Sequence, residues 1–303
     1  MDRLTIDASP RPLIDGTPAI SALGWGMWRY HDDDVAAATA RSMAALEAGI
    51  TLFDTADIYG FGHEHGFGAA EALFGRVLAA NPGLRDRIVL ATKGGILPPI
   101  PYWSRGSRLI ETCEASLRRL GVESIDLYQI HRPDLLAHPA ELAAALDTLR
   151  QQGKIRAAGV SNYTPTQFAA LAAHMPFPLI SIQPEFSPLH TDPLFDGVLD
   201  QALERNLAVL SWSPLGGGRL LGAADDARTQ AVAVALDAIA ARQGATRAAV
   251  AYAWGMAHPS RPIPLIGSQT PDRIREATDA FKVEMTGAEW YAVLVAAMGK
   301  PLP

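Results

Sequence analysis

The feature that most constrains this chain is a rhythm: eight short apolar runs, each followed by a longer stretch of helical pattern. The runs end near Gly24, Asp54, Lys93, His131, Ser161, Gln183, Trp212 and Gly267. Apolar runs with little alternation suit strands buried on both faces, and such strands are parallel. Parallel strands need crossovers, which the intervening helices supply. Eight such units close into a (β/α)8 TIM barrel, an α/β fold in which roughly 250 residues or more form one domain. The 303 residues are therefore expected to form a single domain over 1–303, with 49% hydrophobic residues to fill its core.

Caps mark several helices. Residues 107–120 place Leu109, Ile110, Cys113, Leu117 and Leu120 on one stripe and stop at Gly121, a residue suited to a left-handed helix end. Residues 139–152 place Leu142, Leu146 and Leu149 on another stripe. Thr164-Pro165 and Thr270-Pro271 each offer a Thr cap and a Pro at the first helical position. Asp15-Gly16, within Leu13 to Pro18, is read as a β-hairpin plugging the bottom of the barrel. An additional C-terminal helix, from about Gly287 to Met298, follows the eighth unit. Long loops at 94–106, 184–193 and 214–227 follow strands, where binding residues collect.

Composition removes several classes of function. The formal net charge is −6 and no basic block is present, so nucleic acid is not an expected partner. No run approaches the roughly 18 apolar residues of a membrane span. The amino terminus lacks a long apolar signal region, and Cys113 is the only cysteine, so no internal disulfide can form. Cys113 reads as core. A soluble cytoplasmic protein is expected, with a monomer as the default.

In a parallel barrel, polar residues at the carboxyl ends of strands gather on one face, where chemistry is done. Asp54, Lys93 and His131 stand at such ends, and Tyr59 lies just behind Asp54. A free phenol has a pKa near 10. A nearby ammonium favours phenolate and makes the phenol a better acid. Lys93 could supply that ammonium, Asp54 could hold it protonated, and His131 could hydrogen-bond a substrate oxygen. The set suits protonation of an oxygen that gains charge, as when hydride adds to a carbonyl. Each residue alone has a structural explanation; four together at the ends of consecutive strands do not. His63, Glu64 and His65 lack further ligands for a metal and read as loop residues near the site mouth. Glu71 is expected to cap or pair near its helix start.

The sequence resembles the aldo-keto reductase family in order and spacing. The matching segments are Phe53-Asp54-Thr55-Ala56-Asp57-Ile58-Tyr59-Gly60, Ala91-Thr92-Lys93, Asp126-Leu127-Tyr128-Gln129-Ile130-His131, Gly153-Lys154-Ile155-Arg156, Gly159-Val160-Ser161-Asn162 and Ser211-Trp212-Ser213-Pro214-Leu215-Gly216. The resemblance implies nicotinamide-dependent reduction of a small-molecule aldehyde or ketone. Tyr59 would be general acid, Lys93 and Asp54 would tune it, and His131 would orient the carbonyl. It also implies that Ser161, Asn162 and Gln183 bind the carboxamide and that Trp212 stacks on the nicotinamide ring. Ser213, Pro214, Leu215, Gly216, Gly218 and Arg219 would line the pyrophosphate, and Ser268 and Arg273 the 2′-phosphate. Two departures bear on the cofactor. Many relatives carry Lys where this chain has Gly267, and Asn where it has Ala277. NADPH is the expected cofactor because Arg273 remains, with NADH use open and with Gln269 and Arg275 as compensators. Trp28 is the best candidate to wall the substrate pocket; no metal is expected. Two other readings stay open: an aldolase with Lys93 as Schiff-base nucleophile, and a cofactor-binding regulatory subunit without significant turnover. The five residues after Met298 suggest no long carboxy-terminal flap over the site.

Overall fold

The computed structural model describes residues 3–30, 32–224 and 226–302. Its strands are β1 (Arg3–Leu4), β2 (Gly24–Gly26), β3 (Leu52–Asp54), β4 (Val89–Gly94), β5 (Ile125–Ile130), β6 (Ile155–Ser161), β7 (Leu179–Gln183), β8 (Ala208–Ser211), β9 (Ile263–Ile266) and β10 (Met285–Thr286). Strands β2 to β9 pair in parallel, in chain order, and β9 returns to β2, closing the barrel. The α-helices are α1 (Val35–Glu47), α2 (Ala69–Ala80), α3 (Arg108–Leu120), α4 (Pro139–Gln151), α5 (Pro165–Ala172), α6 (Val198–Arg205), α7 (Ala227–Gln243), α8 (Arg247–Met256), α9 (Pro271–Glu276) and α10 (Gly287–Met298).

Alternation along each strand divides the core. Leu52, Val89, Ala91, Leu127, Ala157, Ala208, Leu210, Ile263 and Leu265 form a cluster with Ile20. Their sequence neighbours Phe53, Leu90, Tyr128, Ala158 and Val209 belong to the larger cluster shared with the helices. Side chains of period two pointing in and out produce this split. The expected strand ends hold at β3 to β9 within a residue or so, but β2 starts at Gly24 instead of stopping there. A Cβ on Gly24 would lie 2.6 Å from Leu265 Cδ2 and 3.1 Å from Leu52 Cδ2. The glycine marks close packing inside a strand, not a turn.

The hairpin reduces to one antiparallel bridge, Arg11 to Ile20, with a turn in which the N–H of Thr17 donates to the Ile14 carbonyl at 3.2 Å. Leu13 and Ile14 pack against the inner cluster and plug that end of the barrel. Gly121 caps α3 at φ 66°, as read from the sequence. Thr164 forms a full capping box with Gln167 at α5. Thr270 holds the cap position of α9, but its side chain makes no capping bond. The additional helix α10 spans the residues expected. It is fixed by Trp290, which stacks on Trp254 at 5.0 Å, each indole donating to the other's carbonyl. The β1–β10 ribbon was not foreseen, because two-residue strands leave no periodic pattern.

Candidate active site

The site is built on the carboxyl ends of β3, β4 and β5. Asp54 ends β3 and Lys93 stands one residue before the end of β4, both fully buried. Lys93 Nζ donates to Asp54 Oδ2 at 2.6 Å and to the Thr55 carbonyl at 2.7 Å. The other carboxylate oxygen of Asp54 accepts from Gln183 Nε2 at 3.0 Å and Gln129 Nε2 at 3.4 Å. A buried ion pair survives only when its spare hydrogen-bonding capacity is met in this way. Burial pulls the Lys93 pKa down, but the Asp54 carboxylate, with Tyr59 beside it, outweighs that and holds the pKa above the usual lysine range. Lys93 is an ammonium at neutral pH.

Tyr59 follows a short turn from β3. Gly60, at φ 102°, permits that turn; a Cβ there would lie 2.4 Å from the Gly66 carbonyl oxygen. The Tyr59 ring sits 5.0 Å from Lys93 Nζ, edge-on to Trp28 at 5.0 Å and to His131 at 5.9 Å. All four expected catalytic residues therefore meet. The electrostatic expectation needs one correction. Burial raises the Tyr59 pKa; Lys93 opposes that without overcoming it, and Asp54 and Asp57 push it further up. The phenol keeps its proton at neutral pH. His131 moves the other way, well below the usual imidazole range, through burial and then the charges of Lys93 and Arg132. It is a neutral ring whose buried Nδ1 has no partner among the described residues.

The residues expected to hold a nicotinamide adjoin this cluster. Trp212 Nε1 donates to Asn162 Oδ1 at 3.0 Å, and Asn162 Nδ2 donates to Ser161 Oγ at 2.8 Å and to the His131 carbonyl at 3.2 Å. Ser161 Oγ donates to the Gln183 carbonyl at 2.9 Å. Asn162 adopts φ 60°, a left-handed conformation that Asn tolerates. Together with the Gln183–Asp54 bond, these contacts connect Trp212 to the buried ion pair. Trp212 is half-buried, with the Arg132 guanidinium 5.7 Å from its ring centroid. Gly216, Gly217 and Gly218 have φ of 59°, 71° and 102°, and the N–H groups of Gly216 and Gly218 donate to the carbonyls of Ser213 and Leu215 at 2.8 and 3.1 Å. Leu189 packs so closely on Gly216 that a Cβ would sit 2.6 Å from it. No atom lies within 4 Å of a Cβ position on Gly217, which leaves room for a ligand.

The chain matches the aldo/keto reductase family model over residues 21–294. The chain belongs to the aldo-keto reductase family. It is 51% identical to a 6-dehydroglucose reductase of Novosphingobium aromaticivorans, covering 100% of both chains. A 6-dehydroglucose reductase of Agrobacterium fabrum is 39% identical over 93% of this chain and 95% of its own. Oxidoreductase YdhF of Escherichia coli is 38% identical over 94% and 96%. The fold is shared with a thermostable aldo-keto reductase solved with the inhibitor epalrestat, at TM-score 0.79 and 24% identity, covering 95% of this chain and 99% of that one. The protein is thus an oxidoreductase of a family that uses NAD(P)H. Among the described residues of the reductase, no helix is long and apolar enough to cross a membrane.

The residues expected to meet a 2′-phosphate lie just after β9. Ser268 gives its carbonyl to Trp25 Nε1 at 3.1 Å, and its Oγ accepts from the N–H of Thr270 at 3.2 Å. Arg273 is exposed, whereas Arg275 pairs with Glu47 at 2.8 Å and Asp272 at 3.1 Å. Gln269 keeps both side-chain polar atoms buried and unbonded among the described residues. Helix α9 has only six residues, too short for a strong dipole. Arg219 bonds the Gly216 carbonyl at 3.3 Å and pairs with Asp226 at 3.7 Å. Cys113 is buried and its pKa is pushed up, as a core thiol requires. His63, Glu64 and His65 lie on an exposed loop.

Sequence reasoning missed Gln129 and Asp57. Gln129 was findable: it shares the inward phase of β5 with Leu127 and His131. Asp57 lies fully buried near Glu71, which accepts from Thr92 Oγ1 at 2.6 Å and Arg119 Nε at 2.7 Å. Burial, then Glu71, pushes the Asp57 carboxyl well above the usual carboxylate range. A raised folded pKa gives stability that is complete below about 3.9 and lost as pH rises toward the folded value. Asp57→Asn is therefore expected to gain stability relative to the parent between pH 4 and pH 7, at up to about 1.4 kcal/mol per pH unit. Urea unfolding of both proteins at the two pH values measures the difference.

Proposed function

We propose that this reductase uses NADPH to reduce the aldehyde of a small sugar, 6-dehydroglucose or a close relative, to the alcohol. The observation that carries the reading is the buried Lys93–Asp54 pair set against a protonated Tyr59 and a neutral His131. NADPH, when bound, supplies hydride to the carbonyl carbon. The chain's own residues handle the oxygen. Tyr59 donates its proton to the developing alkoxide, and Lys93 favours the phenolate left behind. His131, being neutral, orients the carbonyl oxygen by a hydrogen bond rather than by giving up a proton. Asp54, backed by Gln129 and Gln183, keeps Lys93 charged and in place.

Ser161, Asn162, Gln183 and Trp212 would hold the nicotinamide. The segment Ser213, Pro214, Leu215, Gly216, Gly218 and Arg219 would line the pyrophosphate, and Ser268 and Arg273 the 2′-phosphate. Arg273 has no carboxylate partner among the described residues, which favours NADPH over NADH. The sugar assignment is supported by the 6-dehydroglucose reductase that is 51% identical over the whole chain. Trp28, 58% exposed and edge-on to Tyr59, offers an aromatic face at the mouth where a sugar ring can stack. The aldolase reading loses ground because a Schiff-base lysine needs a lowered pKa, and Asp54 raises that of Lys93.

The test is spectrophotometric. Purified protein with 6-dehydroglucose is expected to consume NADPH faster than NADH, and to accept simple aldehydes less well. Tight cofactor binding with no consumption over a wide carbonyl panel would overturn the reading in favour of a regulatory subunit.

A further inference from the structure

We propose that Arg29 is a clamp on the cofactor's pyrophosphate, a role that rests on the NADPH reading above. Arg29 is exposed, on the loop that follows β2. Its Nη2 donates to the carbonyl of Gly217 at 3.2 Å. The same nitrogen lies 3.9 Å from the position of a Cβ on Gly218, and Nη1 lies 3.4 Å from that on Gly267. One guanidinium, carried on the loop after β2, therefore bridges the glycine-rich loop after β8 and the end of β9, the strand on which the barrel closes against β2.

Charge distribution strengthens the argument. Arg219 pairs with Asp226 at 3.7 Å, and Arg275 with Glu47 and Asp272. Arg29 pairs with no carboxylate among the described residues and holds only a neutral carbonyl. Most of its N–H donors remain unused, and guanidinium is the side-chain group best matched to phosphate oxygens. Beside it stand three consecutive glycines at positive φ, whose missing side chains let a ligand approach the backbone closely. A Cβ on Gly217 would meet nothing within 4 Å, so the space next to the guanidinium is open.

Gly267 is the other half of the device. A Cβ on Gly267 would sit in van der Waals contact with Nη1 at 3.4 Å, and a longer side chain would compete with Arg29 for the same volume. The absence of a side chain at 267 thus lets the cation come in from the β2 loop instead of from β9. Because the guanidinium bonds the pyrophosphate loop, its ligand is the diphosphate common to NADPH and NADH. Discrimination between the two is left to Ser268 and Arg273.

Indole fluorescence or calorimetric titration of the Arg29→Met variant with each cofactor tests this directly, without reference to turnover. Both dissociation constants are expected to rise by a similar factor, about tenfold or more for loss of charge-assisted bonds. The thermal midpoint should stay near that of the parent, since Arg29 is exposed. Unchanged affinity for both cofactors would overturn the clamp. A loss confined to NADPH would also overturn it, because the contact would then be to the 2′-phosphate. A parent protein that binds neither cofactor would overturn the NADPH reading itself and this role with it.

Discussion

A Tyr59→Phe variant is expected to bind NADPH as the parent does and to turn over carbonyl substrates about a hundredfold to ten-thousandfold more slowly. The substitution removes one oxygen and little else. The ring contacts to Trp28 at 5.0 Å and to His131 at 5.9 Å, and the approach of Lys93 Nζ at 5.0 Å, all involve the ring itself. The pocket's shape therefore survives, while the hydroxyl that would give up its proton beside the ammonium is gone. His131 is a poor substitute, since burial and two neighbouring cations keep it neutral. The diagnostic pattern is a fall in kcat with little change in KM and none in cofactor affinity, which marks an interaction made in the transition state. Retention of more than about a tenth of the parent's turnover would remove Tyr59 from the role of proton donor.

Most of this site was legible because a parallel barrel turns sequence order into spatial order. Residues at the ends of β3, β4 and β5 fall on one rim, so Asp54, Lys93 and His131 could be grouped before any geometry was known. Tyr59 joined them because it follows Asp54 by a single turn. The electrostatics were less legible. Lys93 does act on Tyr59 as expected, but burial has the larger effect on the phenol, and burial depends on packing from distant segments such as Trp28. Gln183 shows the same limit: its place at a strand end was readable, but not that its amide would bond Asp54 from 129 residues away. The same holds for Arg29, whose only sequence signal is adjacency to Trp28. Its meaning arises where the β2 loop meets Gly217 and Gly267, a contact made by barrel closure.

The largest effect on stability is expected from Lys93→Met. Lys93 fills a fully buried slot, and Met preserves its length and most of its volume while deleting the charge. Asp54 would keep its bonds from Gln183 and Gln129 but lose the ammonium at 2.6 Å. A buried charge deprived of its partner typically costs about 3–5 kcal/mol. Some of that cost is avoided if Asp54 takes up a proton, so Asp54→Asn added to Lys93→Met is expected to recover part of the loss, and the two changes will not be additive. The pH dependence has a definite sign. The folded pKa of Lys93 is raised, so its contribution is complete below the unfolded value of about 10.4 and is lost as pH rises through the folded value. Urea unfolding should therefore show a gap between parent and variant that is constant near neutrality and narrows in strong alkali. If the single variant were as stable as the parent at pH 7, the Lys93–Asp54 pair would have little part in holding the site together, and the charge beside Tyr59 would have to be explained by catalysis alone.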